Sequence, residues 1–173
     1  MDASLLAVRP ATIADADQIA DVHVDSIHGL GAKAYDRDVV EVWGAPRDGQ
    51  RYRTAIEQGE LFFIAVEGRQ VLGFSSYRLE DGKHRTAIYV RGSAARRGIG
   101  TALFVRAEAE ARERGAGEIY VDASLAAVDF YRSCGFQELG VGEHLLPSGV
   151  AMACVFMRKT LGARTPSERR SVS

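Results

Sequence analysis

The chain has 173 residues, 46% hydrophobic and 26% charged, which suits one globular domain and excludes a disordered or collagenous chain. Lys and Arg number 22 against 23 Asp and Glu, a formal net charge of -1, so no global basic field exists to hold nucleic acid or an anionic membrane. No apolar run approaches the ~20 residues a membrane-spanning helix needs. The opening Met1-Asp2-Ala3-Ser4 lacks a basic region followed by an apolar one, and a cytoplasmic location is expected. Cys134 and Cys154 are too few for a disulfide framework and lack the spacing of zinc or redox sites, so both read as buried, reduced thiols.

In chain order, Ile13, Ala16, Ile19, Ala20, Val22, His23 and Ile27 keep helical spacing after Thr12, with Asp15 and Asp17 in the first turn, where the helix dipole favours acids. Gly29 and Gly31 end this helix. A shorter one (Val39, Val40, Val42, Trp43) follows Asp36 and stops at Gly44-Ala45-Pro46; a third, around Tyr52, Ala55 and Ile56, ends at Gly59. Leu61 to Val66 is too rich in aromatic and branched residues for a helix and reads as a strand. Val71 to Tyr77 repeats that texture, Asp81-Gly82 is a hairpin signal, and Thr86 to Val90 completes three antiparallel strands. A fourth helix carries Ile99, Leu103, Ala107 and Ala111 on its apolar stripe and ends at Gly115 and Gly117. Glu118 to Asp122 reads as a strand, Ser124 as the N-cap of a helix through Cys134, and Gly135 as its left-handed terminator. A last strand covers Val150 to Met157, and the tail from Gly162 reads as disordered. This order predicts a mixed α/β sheet in one domain, residues 1–161.

The most informative stretch runs from Ile88 through Leu103, where a strand feeds a loop holding Arg96, Arg97, Gly98 and Gly100, and the loop opens into a helix. The first turn of a helix leaves N–H groups unpaired and carries partial positive charge, so a phosphate there accepts several hydrogen bonds. Glycine allows close approach, and the arginines add bidentate donors. A Walker loop would need Gly-Lys followed by Ser or Thr, and a dinucleotide fingerprint a third glycine where Leu103 stands. Without further context the glycines also suit a merely tight connection.

This stretch resembles the acetyl-CoA-binding signature of the GNAT superfamily of N-acetyltransferases: Arg or Gln, two residues, Gly, one residue, Gly or Ala. Gly98 and Gly100 match, while Ala95 occupies the Arg or Gln position. A second block, Val121 to Phe136, resembles the family's strand-helix segment ending in Phe-Tyr, three residues, Gly-Phe; Ala126 replaces a common Asn. The resemblance runs from about Val8 to Lys159. It implies a GNAT-like acyl-CoA N-acyltransferase fold: an antiparallel meander, then a parallel strand pair, with helices on both faces. It further implies acetyl-CoA as cosubstrate, a primary amine of a small molecule or peptide as acceptor, direct transfer in a ternary complex, and a homodimer; no pair of histidines has metal-ligand spacing, so no metal is expected.

Residue by residue, the resemblance assigns Ile88, Tyr89 and Val90 to the pantetheine arm and thioester, and Ala95, Arg96, Arg97, Gly98, Ile99, Gly100 and Thr101 to the pyrophosphate. Ala126 joins the cofactor wall, and Tyr131 also protonates the leaving thiolate. Tyr131 equally suits the inner face of its helix, beside Ala127, Phe130 and Cys134. His84 falls where many members carry a catalytic Glu and is the expected general base, with Glu80 and Asp122 as fallbacks; it also suits a solvated hairpin residue. The acceptor pocket is expected from Asp25, His28, Tyr35, Asp36, Trp43 and the loop around His144, its acids drawing a cationic amine. Asp25 and Asp36 suit helix surfaces or caps as well, His23 suits the core, and Trp43 a packing anchor. Cys134 has no sequence-evident base and is not expected as a nucleophile. Ala95, Ala126 and the missing Glu at position 84 support a second reading, an acyl-CoA-binding regulatory or interaction module without turnover. Nucleic-acid binding through the few tail arginines is the weakest reading.

Overall fold

The computed structural model describes residues 5–162, so the expected disorder from residue 163 onward lies outside the described residues. Seven strands form one sheet in the order β1-β2-β3-β4-β5-β7-β6: β1 Ala7–Pro10, β2 Leu61–Glu67, β3 Gln70–Glu80, β4 Lys83–Val90, β5 Glu118–Ser124, β6 Gln137–Leu145 and β7 Ala151–Thr160. Five α-helices accompany them: α1 Ala16–Gly29, α2 Arg37–Trp43, α3 Gln50–Glu57, α4 Ile99–Glu113 and α5 Val128–Ser133. Every strand pair is antiparallel except β4–β5, which is parallel.

Alternation along the strands sorts side chains onto two faces. Phe62, Ile64 and Phe74 pack with Ile19 and Val22 of α1 and Tyr52 of α3. Phe63, Leu72, Ile119, Val121 and Met157 pack with Leu103 and Phe104 of α4 and Tyr131 of α5. Helices thus cover both faces, and β3 is buried without a break from Val71 to Tyr77, the texture of a strand with no solvent face. Asp15 pins the start of this core: it is buried, pairs with Arg9 through two contacts of 2.9 Å, and accepts the Thr12 N–H at 2.8 Å.

Three elements depart from expectation. Ser124 ends β5 rather than capping a helix; the chain turns through residues 125–127, where Ala127 N–H reaches Ser124 O at 2.9 Å, and α5 starts at Val128. β6 occupies the segment expected as a loop around His144. β1, only four residues long, joins the β2 edge.

The parallel pair shares one register position, Arg85 opposite Tyr120. Beyond it β4 and β5 part, leaving the edge of β4 from Thr86 to Val90 without a strand neighbour on that side.

Candidate active site

Two cavities open where β4 and β5 part. The larger, about 470 Å³, runs along β4 to the start of α4 and takes in Ile88, Tyr89, Val90, Ala95, Arg96, Gly98, Ile99, Gly100, Thr101 and Ala126. Gly98 precedes α4 at φ +77, a left-handed backbone that a Cβ would strain, although a Cβ there would meet nothing within 4 Å. Gly100 is small for another reason: a Cβ would stand 3.0 Å from the Phe130 ring, so this glycine lets α5 approach α4. Ala102 N–H bonds Gly98 O at 3.1 Å, while no described acceptor takes the N–H groups of Ile99, Gly100 and Thr101. With the helix dipole they make an anion cradle. Arg96 lies on the cavity wall with φ 64. Arg97 is the exception among the expected cofactor residues, for it turns to Glu67 at 2.7 Å and lines neither cavity.

The smaller cavity, about 370 Å³, lies on the other side of the split. Ile88, Tyr89, Trp43, Ser124 and Ala127 belong to both walls, so the cavities meet there. Tyr131 lines the smaller one, and its phenol oxygen accepts the Ile88 N–H at 3.0 Å. The ring is 3% exposed and packs edge-on against Phe130 and Phe136. Burial pushes its pKa far above the usual phenol value, because the phenolate would be the desolvated charge. Asp122 accepts from Arg85 Nη1 at 3.2 Å and lies 3.3 Å from His144 Nε2; all three line the smaller cavity.

The other expected residues separate. His84 lies outside both walls and bonds the Tyr77 hydroxyl through Nδ1. Parity explains this: His84 shares the α4-side face of β4, whereas Arg85 shares the opposite face with Asp122 across the strand pair. Glu80 also lies outside, 3.0 Å from Arg85 and 3.5 Å from Arg78. Of the expected acceptor residues, only Trp43 and His144 line a cavity. Asp25 accepts the Gly92 N–H at 2.9 Å, tying α1 to the loop before α4. His28 Nε2 bonds Gly44 O at 2.7 Å. The Tyr35 hydroxyl donates to Ala153 O at 2.6 Å and accepts the Leu125 N–H at 2.8 Å, bracing the turn after β5. Asp36 is an exposed residue at the start of α2.

Sequence reasoning missed the arginines. Arg47, Arg51, Arg78 and Arg85 line the smaller cavity, together with His23. The one sequence signal was the hairpin itself: pairing around Asp81-Gly82 sets Arg78 directly opposite Arg85. Cys134 lies outside both cavities, while Cys154 lines the smaller; burial raises both thiols. No metal-ligating cluster occurs among the described residues, and no described helix is long and apolar enough to cross a membrane.

Comparison with known proteins matches residues 31–161 to the acetyltransferase (GNAT) domain family. A GCN5-related N-acetyltransferase from Rhodopseudomonas palustris is 30% identical, with a TM-score of 0.80 over 93% of this chain and 99% of that one. The ribosomal-protein-alanine N-acetyltransferase of Brucella melitensis is 26% identical, with a TM-score of 0.69 over 90% and 99%. The PaiA N-acetyltransferase of Thermoplasma acidophilum, solved in complex with coenzyme A, shares the fold at 17% identity, with a TM-score of 0.70 over 90% and 99%. A comparison with curated protein sequences finds no match. The split parallel pair, the cradle at the start of α4 and the family match over most of the chain converge, and the chain belongs to the GNAT acetyltransferase family.

Proposed function

We propose that the protein transfers the acetyl group of acetyl-CoA to a primary amine by direct attack in a ternary complex. The observation that carries this reading is the meeting of the two cavities at Ile88 and Tyr89, beside the Tyr131 phenol. The larger cavity suits the cosubstrate. Its unpaired N–H groups at Ile99 to Thr101 and the Arg96 guanidinium fit a pyrophosphate, and the unpaired edge of β4 fits an extended, amide-bearing arm. Acetyl-CoA supplies the acetyl group and a thiolate leaving group.

The chain's own residues do the rest. Tyr131 keeps its proton because burial opposes the phenolate, and it donates that proton to the departing sulfur. Asp122 lies 3.3 Å from His144 Nε2; an Nε2–H donated to this carboxylate leaves Nδ1 as the proton acceptor for the incoming amine. This pair replaces His84, which sits on the other face of β4. No thiolate is needed: Cys134 lines neither cavity, and burial raises both thiols.

Coenzyme A release, followed with acetyl-CoA and a panel of amines, tests the reading alongside Tyr131→Phe. The expected result is turnover that falls ~10²-fold or more in the variant while acetyl-CoA affinity holds. Acetyl-CoA binding without turnover of any amine would favour the non-catalytic module, and full activity in Tyr131→Phe would remove the proton-donor role.

A further inference from the structure

Charge on the wall of the smaller cavity is one-sided. Four guanidiniums face it, and Asp122 is the single carboxylate among its lining residues. Arg78 and Arg85 stand directly opposite each other on β3 and β4, a placement of like charges that costs stability. Glu80, Glu60 and Asp122 answer those two: Glu80 lies 3.5 Å from Arg78 and 3.0 Å from Arg85, Glu60 3.9 Å from Arg78, and Asp122 3.2 Å from Arg85. Neither Arg47 nor Arg51 forms an ion pair among the described residues, and Glu60 acts on Arg51 only at longer range.

Arg47 is nevertheless held in place. Its Nη2 donates to Trp43 O and its Nη1 reaches His23 Nδ1 at 3.2 Å. Two of its five donors are so anchored, and the rest remain for another partner. His23 is one of the groups that fix the Arg47 head. It is 8% exposed, its Nδ1 is taken by the Tyr52 hydroxyl and Arg47, and its buried Nε2 has no partner. With Nδ1 accepting, Nε2 carries the hydrogen, a buried donor that lacks an acceptor. Burial foremost, then Arg47 and Arg51, lowers this imidazole to about 3, so the ring is neutral in any working buffer.

We infer that the acceptor is a small zwitterion, an amine that also carries a carboxylate or another oxyanion, and that Arg47 and Arg51 hold that anion. This inference rests on the proposed acetyl transfer and names its substrate class. The amine end is drawn to Asp122 and His144, which come from β5 and β6 across the split, so the cavity is polarised to match the two ends of one molecule. A polyamine meets only the Asp122 end and is repelled by the remainder. The expectation that acids at Asp25 and Asp36 draw a cationic amine is thereby reversed: neither residue reaches the cavity.

Titration calorimetry on the full chain saturated with coenzyme A tests this. The panel contains the common amino acids, their decarboxylated amines, the matching aminophosphonates and spermidine, each also assayed for acetylation. The expected result is that binding requires the oxyanion, the carboxylate and phosphonate arms showing which one fits. Arg51→Met, at an exposed side chain that bonds to nothing described, is expected to weaken that binding ~10-fold or more while coenzyme A affinity is unchanged. Decarboxylated amines or spermidine binding as well as their acidic counterparts would overturn the inference, as would a complex that binds no anionic amine. Binding of anionic amines with no acetylation would instead sink the proposed reaction and leave the anion site standing.

Discussion

Between Ile88 and Thr101 one stretch of chain supplies most of the larger cavity's wall, and it works largely through backbone: free N–H groups, a left-handed glycine, a bare strand edge. The smaller cavity draws the charged side chains of Arg47, Arg78, Asp122 and His144 from the end of a helical region, a hairpin and two later strands. A binding surface made from consecutive backbone serves one invariant ligand and is written locally. A surface made from distant side chains can be exchanged one residue at a time, which suits the half of the reaction where chemistry varies.

Substitutions can separate the halves. The largest effect is expected at their junction: Tyr131→Phe lowers kcat ~10²-fold or more in steady-state assays. Because burial raises the phenol rather than lowering it, wild-type kcat is expected to show no alkaline decline from this group up to pH ~10; a decline near neutrality that vanishes in the variant would contradict this. On the cosubstrate side, Gly98→Val forces a branched side chain into the left-handed region, a cost of about 1–2 kcal/mol. It is expected to lower thermal stability and weaken acetyl-CoA binding without changing acceptor preference. A Kd equal to wild type would show that the loop's conformation does not set the cradle.

Outside both cavities, Asp15→Asn tests stability alone. Arg9 holds the Asp15 carboxyl below its usual value. The carboxylate's stabilisation is therefore complete above the unfolded pKa of about 3.9 and is lost as pH falls through the lower folded value. Half-exposed Arg9 limits the effect to about 1 kcal/mol. Denaturant melts are expected to show wild type and variant converging in acid, and a constant gap at every pH would refute this. Smallest of all, His84→Ala is expected to leave kcat and KM unchanged; a large fall in kcat would restore the base role to that residue.

The same contrast explains what the sequence could disclose. Gly98, Gly100 and the Phe130-Tyr131 pair carry local signals; Gly98, Gly100 and Phe130 line the larger cavity and Tyr131 the smaller. His84 was assigned by alignment along β4, but one position of parity decides which face of a sheet a side chain joins. Asp25, His28 and Tyr35 look like ligand groups in a linear reading; folded, each is consumed by a backbone partner in another element. β6 left little trace because eight of its nine residues are exposed and Gly140 and Gly142 interrupt it, so no buried alternation announces a strand. The arginines of the smaller cavity are invisible as a group because Arg47 follows α2, Arg51 lies in α3 and the other two lie on a hairpin, and only folding makes them neighbours.

Joined by the single pairing of Arg85 with Tyr120, the sheet is mechanically two leaves, β1–β4 and β5–β7, with the Arg85–Asp122 contact as their clasp. Whatever fills the seam contacts both leaves at once. Amide exchange along Thr86 to Val90 and Val121 to Ser124 should therefore slow together when coenzyme A binds. The seam would then report occupancy across the whole sheet, coupling the grip on one substrate to the shape offered to the other.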